Sequence, residues 1–159
     1  MINKHLHLLT NKIIACLLLF LTACQGNTTY HAYQPISTEG WYKHDTLTYY
    51  FNSCLAKESI KKIHIGIRHT DSYHYQDLWI GILSIKKDSI TTKKTDSLHL
   101  FLAENGVWQG TGIGETRQFT HEQTISQKTD SILGVKVFHL MKDQPLKGIN
   151  HVGICIKKP

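Results

Sequence analysis

Ile63-His64-Ile65-Gly66-Ile67-Arg68 is the stretch that decides how the chain folds. Isoleucine occupies every second position, with polar or small residues between. Successive side chains of a β-strand point to opposite faces, so this period of two places Ile63, Ile65 and Ile67 together on one face. His64 points the other way, to solvent or to a partner sheet.

The same alternation recurs on both sides of that stretch. Leu47, Tyr49 and Phe51 share one face of residues 46–51, and Leu98, Leu100 and Leu102 alternate around His99 and Phe101. Val152, Ile154 and Ile156 share a face near the C-terminal end, residues 132–138 read as a strong strand, and residues 119–125 as a weaker one. Residues 78–85 are apolar on both parities, the pattern of a strand covered on both faces. Asn52-Ser53, the polar loop 69–76 and Lys86-Lys87-Asp88-Ser89 separate these runs. Only residues 58–62 and 137–142 show a weak helical period. Seven or eight short strands ended by Gly, Asn, Asp or Ser predict an all-β domain, a single β-sandwich of jelly-roll or immunoglobulin-like type.

The N-terminus has a different character. Lys4 and Lys12 precede an apolar run, residues 13–21, which ends at Leu21-Thr22-Ala23-Cys24. The run is shorter than the ~20 apolar residues of a spanning helix. Charge, short apolar segment and small residues at the cut have the form of a secretory signal peptide. The cysteine at the cut resembles a bacterial lipobox. That resemblance implies cleavage before Cys24, acylation of its thiol, and attachment to a membrane through that lipid. The expected organisation is a signal peptide at 1–23, a lipidated N-terminus and flexible tether at 24–39, and a β-sandwich at 40–159. A tether of that length, polar and containing Pro35, would hold the domain roughly tens of ångströms off the bilayer.

Removing residues 1–23 leaves 136 of 159 residues, enough for one domain with a real core. The signal takes Lys4 and Lys12 with it, so the net charge falls from +6 to +4. The lysines come in pairs scattered along the chain (Lys61-Lys62, Lys86-Lys87, Lys93-Lys94, Lys157-Lys158), with no basic stripe and no nucleic-acid motif. They read as solvated turn and strand-edge residues, and no nucleic-acid partner is expected. Cys54 and Cys155 remain in an oxidising compartment. They can close a disulfide around a loop of about 100 residues or stand as two free thiols.

No constellation for catalysis appears. Gly110-Thr111-Gly112-Ile113-Gly114 lacks the Lys-Ser/Thr of a phosphate loop and the helix that must follow it, so these glycines read as tight bends packed near Trp108. His64, His69 and His74 stand at intervals of five, without the three or four convergent ligands a zinc site needs. There is no G-x-S-x-G elbow and no cysteine-hydrolase signature. The chain is therefore expected to be no enzyme and to need no metal or cofactor. Aromatic residues lean towards binding instead, because Trp and Tyr are favoured at interfaces. Trp41, Tyr75 and Trp108 are the expected partner contacts, with Tyr42, Tyr73 and Trp79 as further candidates. An alternative is a stacking platform for an envelope glycan or small ligand on Trp41, Trp79 or Trp108.

Several blocks, in order, carry a family resemblance. After the lipobox come Gly40-Trp41-Tyr42-Lys43-His44-Asp45 and then Ile63-His64-Ile65-Gly66-Ile67-Arg68, followed by Tyr75 and Leu78. The strongest block runs Asp96-Ser97-Leu98-His99-Leu100-Phe101-Leu102-Ala103-Glu104-Asn105-Gly106-Val107-Trp108-Gln109-Gly110-Thr111-Gly112-Ile113-Gly114. The last are His139-Leu140-Met141-Lys142 and Leu146-Lys147-Gly148-Ile149-Asn150-His151-Val152-Gly153-Ile154. In these the chain resembles the gliding-motility lipoprotein GldH family, with Lys142 standing where an arginine is the family's pattern. The resemblance implies a non-enzymatic lipoprotein linked to the gliding apparatus and its secretion machinery, with other envelope proteins as partners. Gln25 after Cys24, where an inner-membrane retention signal has an aspartate, points to the outer membrane. The lack of an acidic cluster after Cys24 points to its periplasmic face.

Overall fold

The computed structural model describes residues 28–51, 62–86, 95–125 and 132–157. Their strands are β1 (Thr28–Pro35), β2 (Leu47–Tyr50), β3 (Lys62–Thr70), β4 (Asp77–Lys86), β5 (Thr95–Phe101), β6 (Ala103–Glu104), β7 (Val107–Trp108), β8 (Thr111–Ile113), β9 (Thr116–Thr124), β10 (Ile132–His139) and β11 (Ile149–Lys157). One sheet has the order β1-β11-β3-β9-β8 and the other β2-β10-β4-β5, with β6 and β7 as a separate hairpin. Every pairing is antiparallel. The two larger sheets pack face to face without closing into a barrel, a β-sandwich with no helix among the described residues. Residues 137–139, one weak helical candidate, complete β10, whose alternating burial follows the strand period.

The core lies between the sheets. Ile63, Ile65 and Ile67 of β3 are fully buried beside Val152, Ile154 and Ile156 of β11. They meet Leu78, Ile80 and Ile82 of β4, Val135 and Val137 of β10, and Leu100 of β5. Each such side chain contributes about 1.5–3 kcal/mol through the apolar surface it removes from water. Tyr49 of β2 sits in this core and donates its hydroxyl to the Val152 carbonyl across the sandwich at 2.7 Å. The buried hydroxyl is thereby satisfied, and burial drives its pKa far up.

The expected tether needs correction. Residues 28–35 are the edge strand β1, paired with β11 from Thr28↔Lys157 to Pro35↔His151, so the sandwich begins at residue 28 rather than 40. The strand hides from a periodicity search because an edge strand buries little. Its inward side places Tyr30 edge-on against Phe51, with ring centres 5.1 Å apart, and Ala32 half-buried. On the outer face the Tyr33 ring lies over Gly66 and Gly153, which are directly paired. A Cβ on either glycine would come inside 3 Å of that ring, so the seat exists only because both side chains are missing. The Arg68 guanidinium covers the ring at 4.1 Å from its centre, a cation–π contact.

The sandwich has two unlike ends. Thr28, Tyr50, Lys62, Lys86, Thr95, Thr124, Ile132 and Lys157 terminate their strands at one end, as the registers and the Tyr30–Phe51 contact require. The other end is closed by Trp41, which exchanges two backbone hydrogen bonds with Leu146, and by the β6–β7 hairpin. That hairpin turns through Asn105 (φ 51°) and Gly106 (φ 78°), both in the left-handed region that a two-residue type I′ turn requires. The signal peptide, Cys24, Cys54 and residues 58–61 lie outside the described residues. So does the Cys54–Cys155 bridge; Cys155 itself sits half-buried on the outer parity of β11.

Candidate functional site

Apolar side chains gather on the outer face of the four-stranded sheet. In β4 the inward parity Leu78, Ile80, Ile82 is buried, whereas Trp79 on the outward parity is 40% exposed. The double-parity apolar pattern therefore does not mean cover on both faces: the second face is open. Trp79 pairs with His99 of β5, and their rings stack 4.0 Å apart at 12°. Phe101, 62% exposed, tilts onto the same imidazole at 4.2 Å. On the other flank Leu140 donates its N–H to the Trp79 carbonyl and is 43% exposed. Phe138, paired with Gly81, lays its ring where a Gly81 Cβ would stand.

The result is a continuous row, Leu140–Trp79–His99, with Phe138 and Phe101 on either side. Cross-strand neighbours on one face stand about 5 Å apart, which is why side chains from three strands meet. His99 is fixed by Asp77, whose Oδ2 lies 2.6 Å from Nε2. That contact holds the imidazole flat against Trp79. Thr48, Lys136 and Thr95 form the polar row beyond, with Leu83 among them.

The expected contact residues do not come together on this face. Trp41 is fully buried: its indole N–H donates to the Asp45 carbonyl at 2.8 Å and its ring packs on His139. Its expected role as a partner contact is corrected on that ground, since a side chain without exposed surface cannot meet a partner. Trp108 is half-buried against His69, with ring centres 4.6 Å apart. Tyr75 is half-buried beside an open depression of about 380 Å³ lined by His74, Asp143, Pro145 and Lys147. Its hydrogen bond to Asp143 raises the pKa of the hydroxyl. A stacking platform of tryptophans is absent, because Trp79 alone of the three is exposed. Phe101, Phe138 and Leu140 escaped the sequence reading, which scored Trp and Tyr alone. The available signal was their place on the outward parity of strands whose inward parity is already apolar.

Elsewhere the glycine run forms bends. Gly110 (φ 89°) precedes β8, and Gly114 (φ 61°) begins the two-residue turn into β9. His64 lies outward and half-buried, 3.7 Å from Glu122, while His69 is fully buried. Among the described residues no group of three or more His, Cys, Asp or Glu converges in a way that could hold a metal.

A family model described as GldH lipoprotein matches residues 28–156, from the first residue of β1 almost to the end of β11. No curated protein matches the chain. The crystal structure of the infectious bursal disease virus VP2 subviral particle is similar at 16% identity, with 80% of this chain and 30% of that chain covered and a TM-score of 0.29. A likeness that distant carries no argument about fold or function.

Proposed function

The chain belongs to the GldH lipoprotein family, and from that premise we propose that it is a lipid-anchored, non-catalytic docking component of the gliding-motility apparatus and its associated secretion machinery. The observation that carries this reading is the open aromatic face of the four-stranded sheet. Contiguous exposed apolar surface marks interaction sites, and aromatic anchors dominate the energetics of protein interfaces. A pleated sheet surface suits another protein better than a small molecule, which needs a concavity that buries most of it. The partner is accordingly an envelope protein that presents an apolar surface to Trp79, Phe101 and Leu140. The anchor is the acylated Cys24. Gln25 after it and the lack of an adjoining acidic cluster support an outer-membrane position on the periplasmic side.

Two experiments test the two halves of this reading. Epitope-tagged protein extracted from the envelope in detergent should recover a partner that the double variant Trp79→Ala/Phe101→Ala does not. Trp79 is 40% and Phe101 62% exposed and neither belongs to the core, so the double variant should lose about 1–3 kcal/mol of unfolding free energy and stay folded, as circular dichroism checks. Equal recovery by the variant, or no partner with the wild type, would sink the docking claim. Separately, Cys24→Ser should leave the sandwich folded and move the protein from the membrane pellet to the soluble fraction of lysed cells. A variant that still pelleted with membranes would show that Cys24 is not the anchor.

A further inference from the structure

The outer face of the five-stranded sheet carries one row that crosses all five strands. Pro35 pairs with His151, His151 with Arg68, Arg68 with Gln118 and Gln118 with Thr111. Ile67 and His69, the neighbours of Arg68 in β3, are fully buried, so the alternation of the strand turns Arg68 outward and its cross-strand partners with it. Where β11 passes Arg68 it bulges. Ile149 opposes His69 and His151 opposes Arg68, so Asn150 is the extra residue. A bulge re-aims side chains, and here Asn150 and His151 both line one depression of about 450 Å³. Arg68, Gln118, Thr111 and Thr116 supply its other polar walls.

Arg68 is held in place before any ligand arrives. Its Nε–H donates to Gln118 Oε1 at 2.9 Å, and its Cζ lies 4.1 Å from the centre of the Tyr33 ring, itself seated on Gly66 and Gly153. These contacts use one N–H and one face of the guanidinium, whose four other N–H groups remain for a ligand. Among the described residues no carboxylate pairs with Arg68, and no Asp or Glu lines the depression. A fixed guanidinium loses little freedom on binding, and its fork matches a planar carboxylate.

The walls narrow the ligand class. One permanent cation suits a single negative charge better than a doubly charged phosphate. The hydroxyls of Thr111 and Thr116 and the amides of Gln118 and Asn150 both donate and accept, as a ligand rich in hydroxyls requires. The volume lies at the small end of ligand pockets, the size of one sugar ring rather than an extended peptide.

We propose that this depression binds a hydroxylated carboxylic acid of the size of one sugar acid, its carboxylate on the Arg68 fork and its hydroxyls on Thr111, Thr116, Asn150 and His151. The site lies on the sheet opposite the Trp79 face, so it holds or fails independently of the docking function and of the anchor.

The test is ligand-detected NMR titration of the mature lipidated protein in detergent micelles. Galacturonate should bind with a Kd of about 1 mM or tighter. Galactose, which lacks the carboxylate, and N-acetylglutamate, which lacks the hydroxyls, should each bind at least about tenfold more weakly, the worth of one hydrogen bond to a charged group or of two neutral ones. Arg68→Lys keeps the charge but loses the fork and should weaken galacturonate at least about tenfold, with the circular dichroism spectrum unchanged. Thr111→Val leaves the contacts of Arg68 intact and should weaken it about threefold or more. Trigalacturonate that binds more tightly than the monomer assigns the ligand to a glycan chain, and weaker binding assigns it to the free acid; either outcome supports the site. No saturable galacturonate binding by the wild type, or binding unchanged in both variants, overturns the site. Galactose binding as well as galacturonate overturns the role of Arg68, and N-acetylglutamate binding as well or better replaces the sugar acid by an acidic peptide.

Discussion

Trp41→Ala is expected to lower the unfolding free energy by about 3–5 kcal/mol, the range for truncating a fully buried large side chain. Three separate losses add up at this position. The indole is completely buried, so its removal opens a cavity at the end of the core. Its N–H is the donor for the Asp45 carbonyl, which is left without that bond. Its backbone pairs both ways with Leu146, and the side chain holds that pairing against His139. The two crossings tied together here, residues 36–46 and 140–148, close the sandwich at the end opposite the start of β1. Small domains are stable by about 5–15 kcal/mol, so the variant would sit near the threshold of unfolding. Urea unfolding followed by tryptophan-independent circular dichroism measures it. Trp41→Phe, which keeps a ring but removes the donor, should fall between the two. A loss below about 1 kcal/mol for the alanine variant would show that the site repacks, contrary to the rigid closure described above.

The parts of the fold that were legible in the sequence are those where one face is apolar and the other is not. Ile63, Ile65 and Ile67 declare their strand because burial acts on alternate residues and each is fully buried. Val152, Ile154 and Ile156 do the same on the neighbouring strand. β1 was illegible for the opposite reason. As an edge strand it pairs on one side only, and its outward anchor, Tyr33, packs on two glycines that contribute no side chain to any pattern. Pairings between residues more than 100 positions apart, such as Tyr33↔Gly153, leave no local trace.

The candidate face was half legible. The run from Leu78 to Ile85 announces apolar residues on both parities, and that signal is correct; what it lacks is the identity of the second cover. A buried strand between two layers and a strand whose outer face awaits a partner share one sequence pattern, since both remove apolar surface from water in the end. Only the packing of Trp79 on His99, open to solvent on its other side, separates them. The lysine pairs show the same limit. Lys62, Lys86 and Lys157 lie up to 95 residues apart in sequence, and nothing local shows that the sheet registers bring all three to one end.

Stability should also fall as the pH drops from 7 to 5, through two buried histidines. His69 and His139 are essentially without exposed surface, and burial, the largest influence on each, lowers both pKa values from their ordinary 6.5. Around His69 stand the Thr70 carbonyl, Asp71 and Arg117, with the rings of Tyr73 and Trp108. Around His139 stand Trp41, Lys43, Asp45 and Asp143. Nε2 of His69 has no hydrogen-bond partner, and at His139 the nearby Trp41 backbone only partly offsets the cost of burying a charged ring. In the unfolded chain both imidazoles titrate near 6.5. Below that pH the unfolded state therefore binds more protons than the folded one, and unfolding free energy falls as pH falls. The contribution is complete above the unfolded pKa and is lost progressively as pH drops towards the lower folded values. Its slope cannot exceed about 1.4 kcal/mol per pH unit for each histidine. Glu122, whose carboxyl is held below its ordinary range by Lys62, titrates beneath this window and does not contribute to it. Urea unfolding at pH 7.5, 6.5 and 5.5 measures the slope. His69→Leu and His139→Leu should each reduce it, and the pair together should leave it nearly flat. An unchanged slope in the double variant would assign the acid sensitivity to other groups and refute the neutral state of both rings in the fold.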